Sequence, residues 1–230
     1  MRFIVFVVGM LLMLSVGAYA ADWQWPEQMT IGGFRITDIS GSVSSDGSGS
    51  AGGAIQIPNL GSSRINLSRT ARGEISGMVS LDTRCVKGSF KLTDRGLQGR
   101  GTVECSPRSI DSSSIEMTPR GEAKGSGRAD LGRLSVGVNF SVTASSCSVD
   151  GSAPIKIQAD TAVATYKFDG ILAIASGDNR MTGSVSGRVE RTGKLTDQTT
   201  SFNIPKTSVD MSNGQCVVNI GGVSVTFYLF

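Results

Sequence analysis

Four cysteines and a scatter of carboxylates are the side chains best suited to chemistry in this chain, because it contains no histidine. Without imidazole there is no His-dependent triad, no histidine metal site and no proton shuttle tuned to neutral pH. Carboxylate pairs are the remaining route to catalysis, as in a glycosidase, and Asp22, Glu27, Glu74, Glu104, Glu116, Glu122 and Glu190 are available. No pair stands apart by its context. No acid or base is therefore assigned, and the chain is not expected to be an enzyme or to hold a metal or cofactor.

Cys85, Cys105, Cys147 and Cys216 are even in number and lack a C-x-x-C spacing, which favours two structural disulfides over zinc or a redox pair. Three pairings are open. If Asp94-Arg95-Gly96 is a three-residue hairpin loop with Gly96 left-handed, Cys85 lies directly opposite Cys105, within disulfide reach. That register also sets Val86 against Glu104 and Phe90 against Arg100, whereas a slip of one residue pairs Val86 with Val103. A bulge near Gly88, Gly99 or Gly101 reconciles the two patterns. The expected bridges are Cys85–Cys105 and, by elimination, Cys147–Cys216.

The other motif matches are explained by their context. Residues 47–52 fit G-x-G-x-x-G, yet Ile55-Gln56-Ile57-Pro58 follows where a dinucleotide fold needs a helix. Asp46 beside those glycines is a single carboxylate, too few for a calcium ion wanting about six oxygens. Asn66-Leu67-Ser68 and Asn139-Phe140-Ser141 are glycosylation sequons only in a eukaryotic host. Trp23 and Trp25, the only tryptophans, are expected to cap one end of a core, with a sugar platform or a membrane interface as alternatives. The aromatic-ended stretch 223–230 reads as a last strand docked in the fold. An outer-membrane barrel would need bulky lipid-facing residues that the earlier strands lack.

The elements that position these side chains are strands. Apolar and polar residues alternate with period two in Ala54-Ile55-Gln56-Ile57, Arg64-Ile65-Asn66-Leu67-Ser68, Ile155-Lys156-Ile157-Gln158-Ala159 and Val223-Ser224-Val225-Thr226-Phe227, as in a sheet with one buried face. Turn chemistry recurs at Ser45-Asp46-Gly47, Asp94-Arg95-Gly96, Val149-Asp150-Gly151, Asp169-Gly170, Ser176-Gly177-Asp178-Asn179 and Ser212-Asn213-Gly214. The Gly/Ser-rich stretch 41–53 is expected to be a mobile loop, and the polar stretch 106–114 is the one candidate boundary between subregions. Ile39-Ser40-Gly41-Ser42-Val43-Ser44 echoes at residues 75–80 and 181–186, which a stacked repeat and the abundance of Ser, Gly and Val both explain. The expected fold class is all-β: an antiparallel curved sheet, barrel-like, or a β-solenoid or sandwich.

Compartment follows from the first residues. Arg2, an apolar run over 3–16 and Ala18-Tyr19-Ala20 give the charged, greasy and small-x-small order of a secretory signal, so cleavage is expected after Ala20. The run is shorter than a spanning helix needs, and no later stretch is apolar enough to cross a bilayer as one. Domains are then a signal peptide at 1–20 and a single all-β domain at 21–230. The mature chain keeps 21 basic groups, the 22 less Arg2, against 19 acidic ones. With that interspersed balance nucleic acid is not an expected partner. A periplasmic, extracellular or cell-envelope location is expected, with disulfides.

Over residues 31–103, Gly32-Gly33-Phe34-Arg35-Ile36-Thr37-Asp38, the Ile-Ser-Gly-x-Val-Ser pieces, Ile55-Gln56-Ile57-Pro58 and the Gly-x-Leu-x-Gly-x-Gly-Thr-Val step in relaxed form at 96–103 resemble the β-repeat regions of AsmA- and TamB-type envelope proteins. They are also similar to the type II secretion N component. The resemblance covers about a third of the chain. It implies a curved sheet with an apolar lining, linked to lipid movement or outer-membrane biogenesis, although the uncleaved N-terminal anchor of that group is missing. The leading expectation is a non-catalytic envelope protein whose apolar groove holds a lipid or other amphiphile. Ile55, Ile57, Ile65, Leu67, Phe90, Leu92, Phe140 and Phe168 would line that groove or fill a closed core. A structural or adhesive surface subunit and a carbohydrate-binding module are the second and third readings; the expected partners are a lipid or another envelope protein.

Overall fold

The structure, a computed structural model, describes residues 23–230, so the expected leader at 1–20 lies outside the described residues. Its sixteen strands are β1 (Met29–Ile31), β2 (Phe34–Val43), β3 (Gly49–Ile57), β4 (Gly61–Arg69), β5 (Ile75–Asp82), β6 (Val86–Thr93), β7 (Gly96–Cys105), β8 (Arg108–Met117), β9 (Ala123–Asp130), β10 (Ser135–Val142), β11 (Cys147–Asp160), β12 (Ala164–Gly177), β13 (Arg180–Gly193), β14 (Thr199–Val209), β15 (Gln215–Ile220) and β16 (Val223–Tyr228). The first fourteen form one antiparallel sheet in which every strand neighbours the next in sequence, and the sheet is not closed because β1 and β14 are its two ends. Such a meander needs only hairpin turns, unlike the parallel rungs of a solenoid. β15 and β16 make a separate two-stranded sheet.

The described chain divides into two compact units along a line that cuts through β6 and β7 rather than falling at 106–114. That polar stretch is mostly β8.

Of the described residues, the first unit holds those up to Leu81 with Ser89–Gln98 and Thr118–Arg120. In β2 the buried positions change from Phe34 and Ile36 to Ile39, a switch of parity. Its cause is a bulge between Thr37 and Ser40, where Asp38 takes a φ of +56°. The stretch 41–53 is not a loop. It is the end of β2, a turn and most of β3, because a Cβ on Gly41 would strike the Ser50 carbonyl and the paired Ala51, so only glycine lets the strands close up there. In the turn, the Ser48 hydroxyl and amide donate to Asp46 Oδ1 at 2.6 and 2.9 Å and hold its carboxyl below the usual value.

The second unit holds Asp82–Gly88, Gly99–Met117 and Gly121–Phe230. Two expected turns are absent: Asp150-Gly151 lies inside β11 and Asp169-Gly170 inside β12. Gly170 instead pairs with Gly187, and a Cβ on Gly187 would come within 2.5 Å of the Gly170 Cα. Asp178 and Asn179 do make the expected turn, both at positive φ, between β12 and β13.

The disulfide pairing also differs from expectation. The β6–β7 loop has two residues, Asp94 and Arg95. Glu104 N donates to Cys85 O at 2.9 Å, and Gly88 and Gly101 lie back to back, which is the slipped register with Val86 facing Val103. A slip of one residue turns every side chain to the other face, so Cys85 points away from Cys105. Cys105 bonds Cys147 instead, with Cα atoms 5.8 Å apart, and neither Cys85 nor Cys216 is bridged. The Cys85 thiol donates to Ala144 O at 3.7 Å, while Cys216 is buried.

Candidate functional site

The eight residues expected to line a groove or fill a core are all at most 5 % exposed, so in this state they are packed rather than open to solvent. Ile55, Ile57, Ile65, Leu67, Phe90 and Leu92 belong to the first unit, Phe140 and Phe168 to the second.

In the second unit, alternation along β11 to β14 builds an inner apolar face in rows fixed by strand register. One row runs Ile157, Phe168, Val189, Phe202 and the next toward the strand ends runs Ala159, Tyr166, Arg191, Thr200. The β15–β16 hairpin lies over this face. Its own inner residues Cys216, Val218, Val225 and Phe227 are buried, and Phe227 meets Phe168 with ring centroids 5.8 Å apart. Between hairpin and sheet, Ile157, Phe168, Val185, Cys216, Val218, Phe227 and Leu229 meet with no space wide enough for a water.

The hairpin makes no strand ladder with the large sheet. A turn at 210–214 joins it to β14, and Arg108 of β8 latches that turn: its Nε donates to Met211 O at 2.9 Å, a second nitrogen donates to Ser212 O at 3.0 Å, and the guanidinium lies 5.0 Å from the Phe230 ring. Burial pushes the Cys216 thiol pKa up, so that cysteine behaves as an apolar filler.

Arg191 places a charged side chain on the inner parity of β13. It stands opposite Tyr166 and Thr200, two residues beyond Val189, and its Nε is buried without a hydrogen-bond partner. Sequence reasoning passed over it, although the signal was there: Gly183, Val185, Gly187, Val189 and Arg191 share one parity, and only the last is charged.

The outer face of the same strands is polar. Lys156, Gln158, Lys167, Asp169, Arg188 and Glu190 line a shallow groove of ≈ 620 Å³. Lys156 pairs with Asp169 at 2.9 Å, a contact that raises the lysine pKa, and both are well exposed. Alternating solvated charges of this kind neutralise one another and add little stability. Asp160 is held below the usual carboxylate value by hydrogen bonds from Thr165 and Gln158. Among the described residues no cluster of three His, Cys, Asp or Glu is arranged to hold a metal ion. No helix there is long and apolar enough to cross a membrane.

In the first unit the tryptophans are occupied by neighbours. Trp23 and Trp25 stack edge to face at 4.9 Å, the Arg69 guanidinium covers Trp23 at 4.3 Å, and Trp25 Nε1 donates to Ser42 O at 3.2 Å. A sugar platform needs a free ring face, and Arg69 takes one of Trp23's.

Searches of family models, curated proteins and solved structures find no match to this chain.

Proposed function

We propose that this is an exported, non-catalytic envelope protein that holds a lipid or other amphiphile against the apolar face of β11–β14, in the place the β15–β16 hairpin occupies here. The observation that carries the reading is that hairpin: a separate sheet, joined to β14 through one turn and lying on an apolar face without a strand ladder to it. An acyl chain offers that face the same kind of contact, and exchange of one apolar cover for another costs little net burial. The leader motif supports export, the chain's lack of histidine supports a non-catalytic role, and the resemblance of residues 31–103 to AsmA- and TamB-type repeats supports the lipid class.

The test uses protein recovered from an exporting host without detergent. Native mass spectrometry is expected to find an amphiphile that leaves on denaturation. Arg108→Ala, which unlatches the turn, is expected to raise its occupancy and to speed amide exchange in 215–228. Ligand-free protein whose hairpin exchanges as slowly as β12 and β13 overturns the reading.

A further inference from the structure

We propose that Arg191 is the head-group site of the amphiphile, and that the ligand is therefore anionic: a single acyl chain ending in a carboxylate or phosphate. The inference rests on the functional reading above and adds the ligand's charge.

Arg191 occupies the inner parity of β13, where Val185 and Val189 are buried apolar residues, so register places the base of its side chain on the apolar face. Its Nε is buried and unpartnered. A guanidinium donor removed from water without an acceptor is costly, and native chains rarely keep one unless something else satisfies it. The residues beside it supply no charge: Tyr166 and Thr200 lie opposite it in the register, and Ala159 follows in the same row. Along the chain the nearest charges are Glu190, then Arg188 and Lys194 three residues to either side, and Glu190 belongs to the other face, 3.9 Å from Arg188.

The position suits a head group. The apolar row of Ile157, Phe168, Val189 and Phe202 crosses β13 at Val189, two residues and about 7 Å along the strand from Arg191. The hairpin tip lies at Phe202, where a Cβ on Gly221 would be 3.6 Å from the ring. A chain lying along β13 over Val185, Gly187 and Val189, and exchanging with the hairpin, puts its polar end at the guanidinium. A planar fork of donors takes a carboxylate or phosphate, and a neutral hydroxyl cannot supply the opposing charge.

Oleate and oleyl alcohol, equal in chain length, separate the two parts of the claim when titrated into full-length mature protein. The wild type is expected to bind oleate about tenfold or more tightly than the alcohol. Arg191→Met is expected to bind both alike, at the alcohol's affinity, while Arg191→Lys keeps part of the preference. Arg191→Met should melt no lower than the wild type, which separates lost recognition from lost folding. Equal wild-type affinities, or an oleate preference that survives in Arg191→Met, overturns the assignment while leaving the apolar face as a lipid site. Binding of neither ligand sinks both readings. Full displacement of oleate by acetate at matched concentration also overturns it, since the site would then take a free anion without a chain.

Discussion

Arg191 and the cysteines show how far single residues are governed by the face they fall on. The type of a cysteine says that it can bridge, but the register decides which partner it meets. With Cys85 turned away from Cys105, one thiol remains half-exposed, one is buried and two are joined. Alkylation of the native protein is therefore expected to label Cys85 first and Cys216 only on unfolding, with Cys105 and Cys147 labelled after reduction. Peptide mapping that finds Cys85 bridged to Cys105 contradicts the register. Cys147→Ser should lower stability by about 2–5 kcal/mol and Cys85→Ser by much less, measured by denaturant unfolding in an oxidising buffer. The raised pKa of Cys216 works in one direction only: its neutral thiol contributes fully below the ordinary cysteine value, and that contribution is lost as pH rises through the raised one.

Elements were legible where alternation is uninterrupted and misread where glycine carried two meanings. β3, β4, the middle of β11 and β16 follow their apolar periods. Asp169-Gly170 has the composition of a turn, yet β12 runs straight through it, because glycine serves close approach between paired strands as readily as it serves positive φ. No single-sequence signal separates those uses; the residue that distinguishes them, Gly187, is seventeen positions away and meets Gly170 only in the sheet. Gly187→Val is accordingly expected to force β12 and β13 apart and to cost about 1–3 kcal/mol or more. Urea titration checks this, and an unchanged midpoint would show that the strands tolerate a side chain there.

For the molecule as a whole, an open sheet leaves edges that must not recruit other chains. β1 has three residues, too short to template a partner. β14 carries Pro205 and Lys206, the two residues that lie between the register pairs Gly187–Ile204 and Val185–Thr207, so the edge is bulged, lacks one donor and bears a charge. Such guarding argues against assembly by strand addition and so against the adhesive-subunit reading. Replacing both residues, Pro205→Val with Lys206→Val, is expected to produce concentration-dependent association in light scattering. A variant that stays monodisperse would show that the edge is protected by something else.

The apolar period, the turn residues and the absence of histidine determine from the sequence alone that this chain forms antiparallel strands and lacks imidazole chemistry, because those are properties of neighbouring residues and of composition. Which cysteines bond, where the sheet ends, and that a C-terminal hairpin covers the apolar face beside an arginine whose buried Nε has no partner were decided only in the tertiary structure. Each depends on register between distant segments, and one residue of slip exchanges the inside of a strand for its outside.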